Sequence, residues 1–595
     1  MENPAIIRSR LEELRKYMSA HSLDAFIIPS SDPHMSEYTP ARWKSREWIS
    51  GFGGSAGTAV VTLHDAALWT DSRYFLAAAE ELAGTTFELM KDGLPQTPTI
   101  ADWLIGKLPA GAGVGFEASL ITPKQFGDYT QKLGNAGISL KLTADPFNEI
   151  WADRPPLPDS PIELHQPEYA GESFESKRQR LLEAAAKNGC DMLMLSVLDE
   201  IAWTLNLRGT DVEYNPVFVA YLILAAKGST LIVSPKKITP EVKEYLSANN
   251  VAIAPYDEAE EAIKRATATG RIQLPTGINM AVYSYIKEGQ KLVAPSPAEA
   301  MKAVKNDAEI RGFHSAMLRD GVAMVEFLAR LHEEVEKGTS EMGVDRLLTS
   351  LRAEQPLFRG LSFATIAAYE PHGAIVHYEA STDTDARLEP RGLLLLDSGA
   401  QYSDGTTDIT RTIPLGTPTA KEKKVYTLVL KGHIALERCV FPDGASGTQI
   451  DLAARYAMWQ ELMNYGHGTG HGVGSYLNVH EGPHQIRMNY MPAPLHAGMT
   501  VTDEPGIYLA GEFGVRIENT LLIVPAGESQ FGSFLKFEPL TLCPIDTAPI
   551  DFQMMSAEEI AWLNSYHATV REKLMPHIAN PATRHWLQEA TKPIE

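Results

Sequence analysis

The chain has 595 residues, 44% of them hydrophobic and 22% charged, too long for one hydrophobic core and ordinary for a globular protein. Its 53 basic and 75 acidic residues leave a net charge of −22, which argues against nucleic acid or an anionic membrane surface as a partner. Three scattered cysteines, Cys190, Cys439 and Cys543, make neither a disulfide framework nor a CxxC metal site and fit a reducing compartment.

The opening "MENPAIIRSRLEELRKYMSAHSLDAFIIPS" predicts an amphipathic helix followed by an apolar strand, without the pattern of a secretory signal. No apolar run reaches the roughly 20 residues a membrane helix needs, so a cytoplasmic location is expected. "GGSAG" at 53–57 fits the nucleophile elbow G-x-S-x-G, and "GFGGSA" imitates a dinucleotide fingerprint. Both motifs require a strand before and a helix after. Here a helical, Trp-containing stretch precedes and the strand-like "TAVV" follows, which leaves Ser55 as a turn residue. "SRLEELRKYMSAHSLDAFIIPS" (9–30) and "SKRQRLLEAAAKNGCDMLMLSV" (176–197) share one plan: a charged helix, a break, an aspartate (Asp24, Asp191), then an apolar strand. Each runs on into a Trp-containing helix and β-rich sequence, which predicts two similar α/β domains, 1–155 and 156–304. Five prolines between 155 and 167 mark an extended linker. From 305 to 595 helices alternate with antiparallel strands, an α+β unit.

That last unit carries the chemistry. In "RGLLLLDSGAQYSDGTTDITRTI" an apolar strand ends at Asp397, and Asp408 follows eleven residues on in an alternating strand, so a hairpin can bring the two carboxylates to one face. "YGHGTGHGVGS" (465–475) holds His467 and His471 in a run with five glycines. Glycine at that density disfavours a helix; it lets backbone approach a ligand closely and tolerates unusual dihedrals. "GMTVTDEPGIYL" places Glu504 just before a Pro-Gly turn, and "FGVRIENTLLIV" places Glu518 in a strand, two residues after Arg516 on the same face. Buried acids are costly unless paired or metal-bound. Four carboxylates and one imidazole suit two hard divalent cations.

These blocks resemble the pita-bread metallopeptidases, and within them the long-form Xaa-Pro aminopeptidases. The likeness extends to "SGFGGSAGTAVVTLHDAALWTDSRYF", "LDEIAWTLNLRGTDVEYNPVF" and "FEPLTLCPID", nearly the whole chain. It implies two creatinase-like α/β domains followed by a pita-bread catalytic domain. It implies a dinuclear site, usually two Mn²⁺ with Co²⁺ or Zn²⁺ as alternatives, held by Asp397, Asp408, His471, Glu504 and Glu518. It implies that His377, His467 and His480 line the substrate side and that Glu504 shuttles a proton. Arg516 would support the metal carboxylates, while His372 and His484 stay structural. The segment after Pro483, including His484, departs from the family pattern and is expected near the substrate rim. The reaction implied is hydrolysis of the first bond of short peptides with proline second. The nearest alternative is a prolidase acting on Xaa-Pro dipeptides; a non-catalytic pita-bread binding module is disfavoured because all five ligand positions are filled. Trp459 stands where a dimer contact occurs in the family, so a homodimer is expected, with an apolar core position as the other reading.

Overall fold

The computed structural model describes residues 2–595 and divides into two compact units, Met1–His165 with Glu172–Ala298, and Gln166–Gly171 with Glu299–Glu595. The first unit contains two six-stranded sheets of identical plan. In one, the strands run in the order Phe87–Lys91, Ala66–Thr70, Thr58–Thr62, Ala25–Pro29, Gly113–Glu117, Ser139–Thr143. In the other the order is Val251–Ala254, Ser229–Val233, Ala220–Ala225, Met192–Leu195, Ile272–Leu274, Lys291–Val293. Strand directions agree position by position: in each, the fourth strand is antiparallel to the third and parallel to the fifth.

The repeated sequence plan has a physical basis. Helix Pro4–Ala20 is capped by Asn3 and buries Ile7, Leu11, Leu14 and Met18 at helical spacing, while helix Phe174–Lys187 is capped by Ser173 and buries Leu181 and Ala185. The two aspartates then do the same job. The Asp24 carboxylate accepts from the Gly113 amide at 2.8 Å, and the Asp191 carboxylate accepts from the Arg271 amide at 2.9 Å. Each fastens the start of a central strand to its parallel neighbour.

"GGSAG" connects helix Ser45–Ser50 to strand Thr58–Thr62, the reverse of an elbow's order, and the Ser55 hydroxyl bonds the Tyr74 hydroxyl at 2.7 Å. The proline-rich stretch 154–162 carries no helix or strand. No helix among the described residues is long and apolar enough to cross a membrane.

The second unit opens on a 31-residue helix, Asp307–Lys337, whose Asn306 and Glu309 form a capping box. Its strands pair antiparallel throughout the sheets that matter to the site. Leu393–Ser398 lies between Ile366–Tyr369 and Ile409–Pro414; Thr500–Asp503 pairs with Asn519–Ser529; Gly506–Leu509 pairs with Phe513–Arg516; and Gly470–Gly472 pairs with Glu481–Ile486. Helix Ala420–Glu437 packs its Val425, Val429 and Ile434 into a core with Ile507, Val515 and Leu563. The unit is therefore α+β, and the first unit α/β.

Candidate metal centre

The structure gathers the acids from strand ends. Asp397 is the fifth residue of its strand and stands opposite Thr410 in the ladder. Three local expectations need correction. Asp408 lies just before its strand rather than inside it. The Pro-Gly pair after Glu504 leads directly into the strand Gly506–Leu509 and makes no turn. Glu518 sits between two strands, because Phe513–Arg516 and Asn519–Ser529 belong to different sheets and the chain changes partner across Ile517 and Glu518.

Ligand atoms of Asp408, His471 and Glu518 lie within 4.8 Å of one another. Nδ1 of His471 is 2.8 Å from the Gly472 carbonyl and donates to it. Its Nε2 faces Asp408 Oδ2 at 3.4 Å and Glu504 Oε1 at 3.5 Å. One imidazole nitrogen and two carboxylate oxygens converging in this way form a donor set of the kind that holds a divalent cation. Asp397 gives one oxygen to Arg516 at 2.6 Å, and its other oxygen is buried without a hydrogen-bond partner. Thr410 donates to Glu518 at 2.7 Å.

Charge points the same way. Burial pushes the Glu504 carboxyl up to about 8; Arg516 opposes this, and Asp408 and Asp397 add to it. Burial also raises Glu518 well above the usual carboxylate range, and Asp408, Asp397 and Glu504 push it further. Asp397 is raised by burial against the pull of Arg516, with Asp408 adding to the rise. One guanidinium cannot balance four carboxylates, whereas two divalent ions can. The donor set of carboxylates and one imidazole fits such ions.

The glycine loop is held from beneath. Arg455 of helix Gly447–Gln460 donates to the carbonyls of Tyr465 at 2.8 Å and His467 at 3.0 Å. The dihedral explanation for its glycines fails, since none of Gly468, Gly470, Gly472 and Gly474 has positive φ. Crowding explains them instead. A Cβ on Gly470 would stand 1.9 Å from the Thr502 carbonyl, and one on Gly472 would stand 2.5 Å from the Glu481 carbonyl. His471 is thus pressed between two neighbouring strands.

His467 is oriented by a relay: Arg516 donates to the Tyr508 hydroxyl at 2.7 Å, and that hydroxyl lies 2.7 Å from His467 Nε2. Nδ1 of His467 is 3.9 Å from Glu504 Oε2. The His480 ring stands edge-on to His471 with centroids 4.3 Å apart. His377 follows Val376, whose carbonyl is 3.5 Å from Arg516. His372 pairs with Glu341 at 2.8 Å. His484 is not at a rim. It is fully buried, Nε2 is 2.7 Å from the Thr500 carbonyl, and burial lowers its pKa to about 4.

Sequence reasoning missed Thr410, Thr502 and Tyr508. Thr502 bonds both the His471 amide at 3.1 Å and Glu504 at 3.2 Å. Its only signal was its place two residues before an acid.

Comparison with known proteins follows the same division. Residues 312–525 match metallopeptidase family M24, residues 10–149 and 153–309 each match a creatinase/prolidase N-terminal domain, and 533–594 match the C-terminal region of M24 peptidases. The chain is 38% identical to aminopeptidase P1 of Lotus japonicus, over 99% of this chain and all of that one. It is 38% identical to Xaa-Pro aminopeptidase 1 of Dictyostelium discoideum, over 99% and 97%. Among solved structures, the X-prolyl aminopeptidase of Caenorhabditis elegans, described as a cytosolic enzyme with a di-nuclear active site, is 36% identical with a TM-score of 0.95, covering 99% of this chain and all of its own. The Xaa-Pro dipeptidase of Bacillus anthracis is 25% identical with a TM-score of 0.50 and covers only 63% of this chain.

Proposed function

Because the chain belongs to metallopeptidase family M24 and matches Xaa-Pro aminopeptidases from end to end, we infer that it removes the N-terminal residue from peptides whose second residue is proline. It is an aminopeptidase rather than a prolidase: the aminopeptidase relatives match its full length, whereas the dipeptidase covers only part of it. The observation that carries the chemistry is the convergence of His471 Nε2 with the Asp408 and Glu504 carboxylates beside the buried Asp397 and Glu518.

Asp397, Asp408, His471, Glu504 and Glu518 would hold two divalent ions. Mn²⁺ is the proposed pair, since carboxylate-rich sites with one imidazole favour a hard ion. Bound there, such ions supply Lewis acidity and an acidified water. Glu504 turns Oε1 toward His471, and its Oε2 takes the proton of the attacking water and passes it to the leaving nitrogen. That transfer is required because any amide nitrogen must gain a proton to leave as an amine; proline's imide nitrogen, having no hydrogen, offers the site no N–H to hold. His480, beside His471, is placed to stabilise the developing oxyanion, and His467 and His377 bind the peptide. Arg516 fixes Asp397 and, through Tyr508, the ring of His467.

Purified protein is chelated, supplied with Mn²⁺ and given Arg-Pro-Pro, Ala-Pro and Arg-Ala-Ala. Metal-dependent release of arginine from Arg-Pro-Pro, with little from Arg-Ala-Ala, is the expected result. Cleavage confined to Ala-Pro would move the assignment to prolidase.

A homodimer is supported by helix Gly447–Gln460, where Leu452, Tyr456 and Trp459 recur on one face and all stand exposed. Trp459 is 38% exposed, so a core position does not account for it. Tyr456→Glu is expected to shift the protein from dimer to monomer mass in light scattering. An unchanged mass would remove this face from the interface. A cytoplasmic location is supported by three free cysteines and by the relative described as cytosolic.

A further inference from the structure

Behind the acids lies a second buried cluster that the reaction does not use. His433 and Glu437 stand one turn apart on helix Ala420–Glu437, both with fully buried side chains. Nε2 of His433 is 3.2 Å from Glu437 Oε1, and its Nδ1 is 3.2 Å from Asp503 Oδ2. Glu437 also accepts from Asn519 at 2.8 Å. Asp503 and Asn519 are directly opposed in the antiparallel ladder. Asp503 immediately precedes Glu504, and Asn519 immediately follows Glu518. The imidazole and Glu437 therefore clasp, from behind, the strand pair whose next residues carry two of the metal carboxylates.

Taking Glu504 and Glu518 as ligands, as read above, we propose that His433 is a positioning residue for the metal centre, bridging Asp503 and Glu437 so that the two strands hold Glu504 and Glu518 at a fixed separation. A third ion in this cluster is the competing thought, since its ligand atoms also lie within 4.8 Å of one another. The ring geometry argues against it. The two nitrogens diverge and each faces a different carboxylate, so one ion cannot replace both contacts. Trp562 closes the back of the ring edge-on at 6.0 Å, and Arg411 fixes the far end by donating to Asn519 at 2.9 Å and to the Glu518 carbonyl at 2.6 Å. Burial alone would lower the His433 pKa, but Asp503 and Glu437 outweigh it and hold the ring near 9, the charged form that makes both contacts ion pairs, although neither ring nitrogen is aligned for a hydrogen bond.

The test compares full-length wild type, His433→Gln, Asp503→Asn and the double variant. Mn²⁺ binding is followed by equilibrium dialysis, and kcat and KM are measured on Arg-Pro-Pro. Groups that orient ligands from outside the first shell change metal affinity or activity by about 10–100-fold. His433→Gln is expected to keep its circular dichroism, to bind Mn²⁺ more weakly by that factor, and to lose kcat with KM little changed. The double variant should be no worse than the weaker single one, because both remove one bridge. Should His433→Gln fail to fold, the isosteric Asp503→Asn carries the test. A folded variant with wild-type Mn²⁺ affinity and kcat overturns the proposal, as does a third Mn²⁺ per chain in wild type that His433→Gln loses. If Asp408→Ala also retains two tightly held Mn²⁺ ions, the ligand assignment itself has failed, a separate outcome.

Discussion

Asp408→Ala is expected to abolish metal-dependent release of arginine from Arg-Pro-Pro, a fall beyond about 10³-fold, since losing a ligand exceeds the 10–100-fold typical of groups one step further out. The Asp408 carboxylate faces His471 Nε2 at 3.4 Å, and its ligand atom lies within 4.8 Å of that of Glu518. Added Mn²⁺ should not restore the rate. The same variant is expected to be no less heat-stable than wild type when both are metal-free. Asp408 is one of the acids that push Glu504, Glu518 and Asp397 toward protonation, so its removal relieves repulsion inside a buried cluster. Loss of activity together with early melting would instead describe a structural aspartate. Activity within tenfold of wild type would remove Asp408 from the site.

The parts of this site that were legible in sequence are those whose residue types are improbable where they stand. Carboxylates at the ends of apolar strands, and a histidine in a run of glycines, announce themselves without any fold. Strand assignment was less readable. Val515 and Ile517 alternate with Arg516 and Glu518 as in one strand, but the backbone changes sheets there, and alternation reports which side chains are buried rather than which strand they pair with. Partners such as Thr410 and Tyr508 were invisible because threonine and tyrosine are common strand residues. Thr410 matters through its register opposite Asp397, and Tyr508 because its hydroxyl meets Arg516 and His467. The glycines around His471 were noticed for a dihedral reason and are required for a packing one, a distinction that needs the neighbouring strand. His433 and Glu437 form an ordinary i, i+4 pair in sequence; only the ladder of Asp503 with Asn519 gives the pair something to hold. The duplicated sheet was readable earlier, because helix, break, aspartate and strand recur in order and each step has a local cause.

Raising the pH should weaken the metal-free protein, and divalent metal should reverse that weakening. Glu504 has an ordinary value of 4.5 and is held at about 8 in the fold. A carboxyl raised in this way binds its proton more tightly folded than unfolded, so its contribution is most favourable below the unfolded value and is lost as pH climbs toward the folded one. Glu518 and Asp397 are shifted in the same direction. Metal-free protein should therefore melt progressively earlier from about pH 5 to pH 8 in calorimetry, against the usual rise of acid-labile proteins across that range. Ligand carboxylates must be deprotonated to bind metal, so uptake at pH 7 should release about one proton from Glu504. At a hundredfold excess over the dissociation constant each occupied site adds about 2.7 kcal/mol, enough to restore several degrees in the catalytic unit. Glu504→Gln removes one titrating group and should cut the proton release by about one while flattening the pH slope of the metal-free form. Metal uptake without proton release, or a metal-free melting point that rises steadily to pH 8, would mean that these carboxyls are already ionised in the fold. The buried acids would then be balanced by something other than protons and metal.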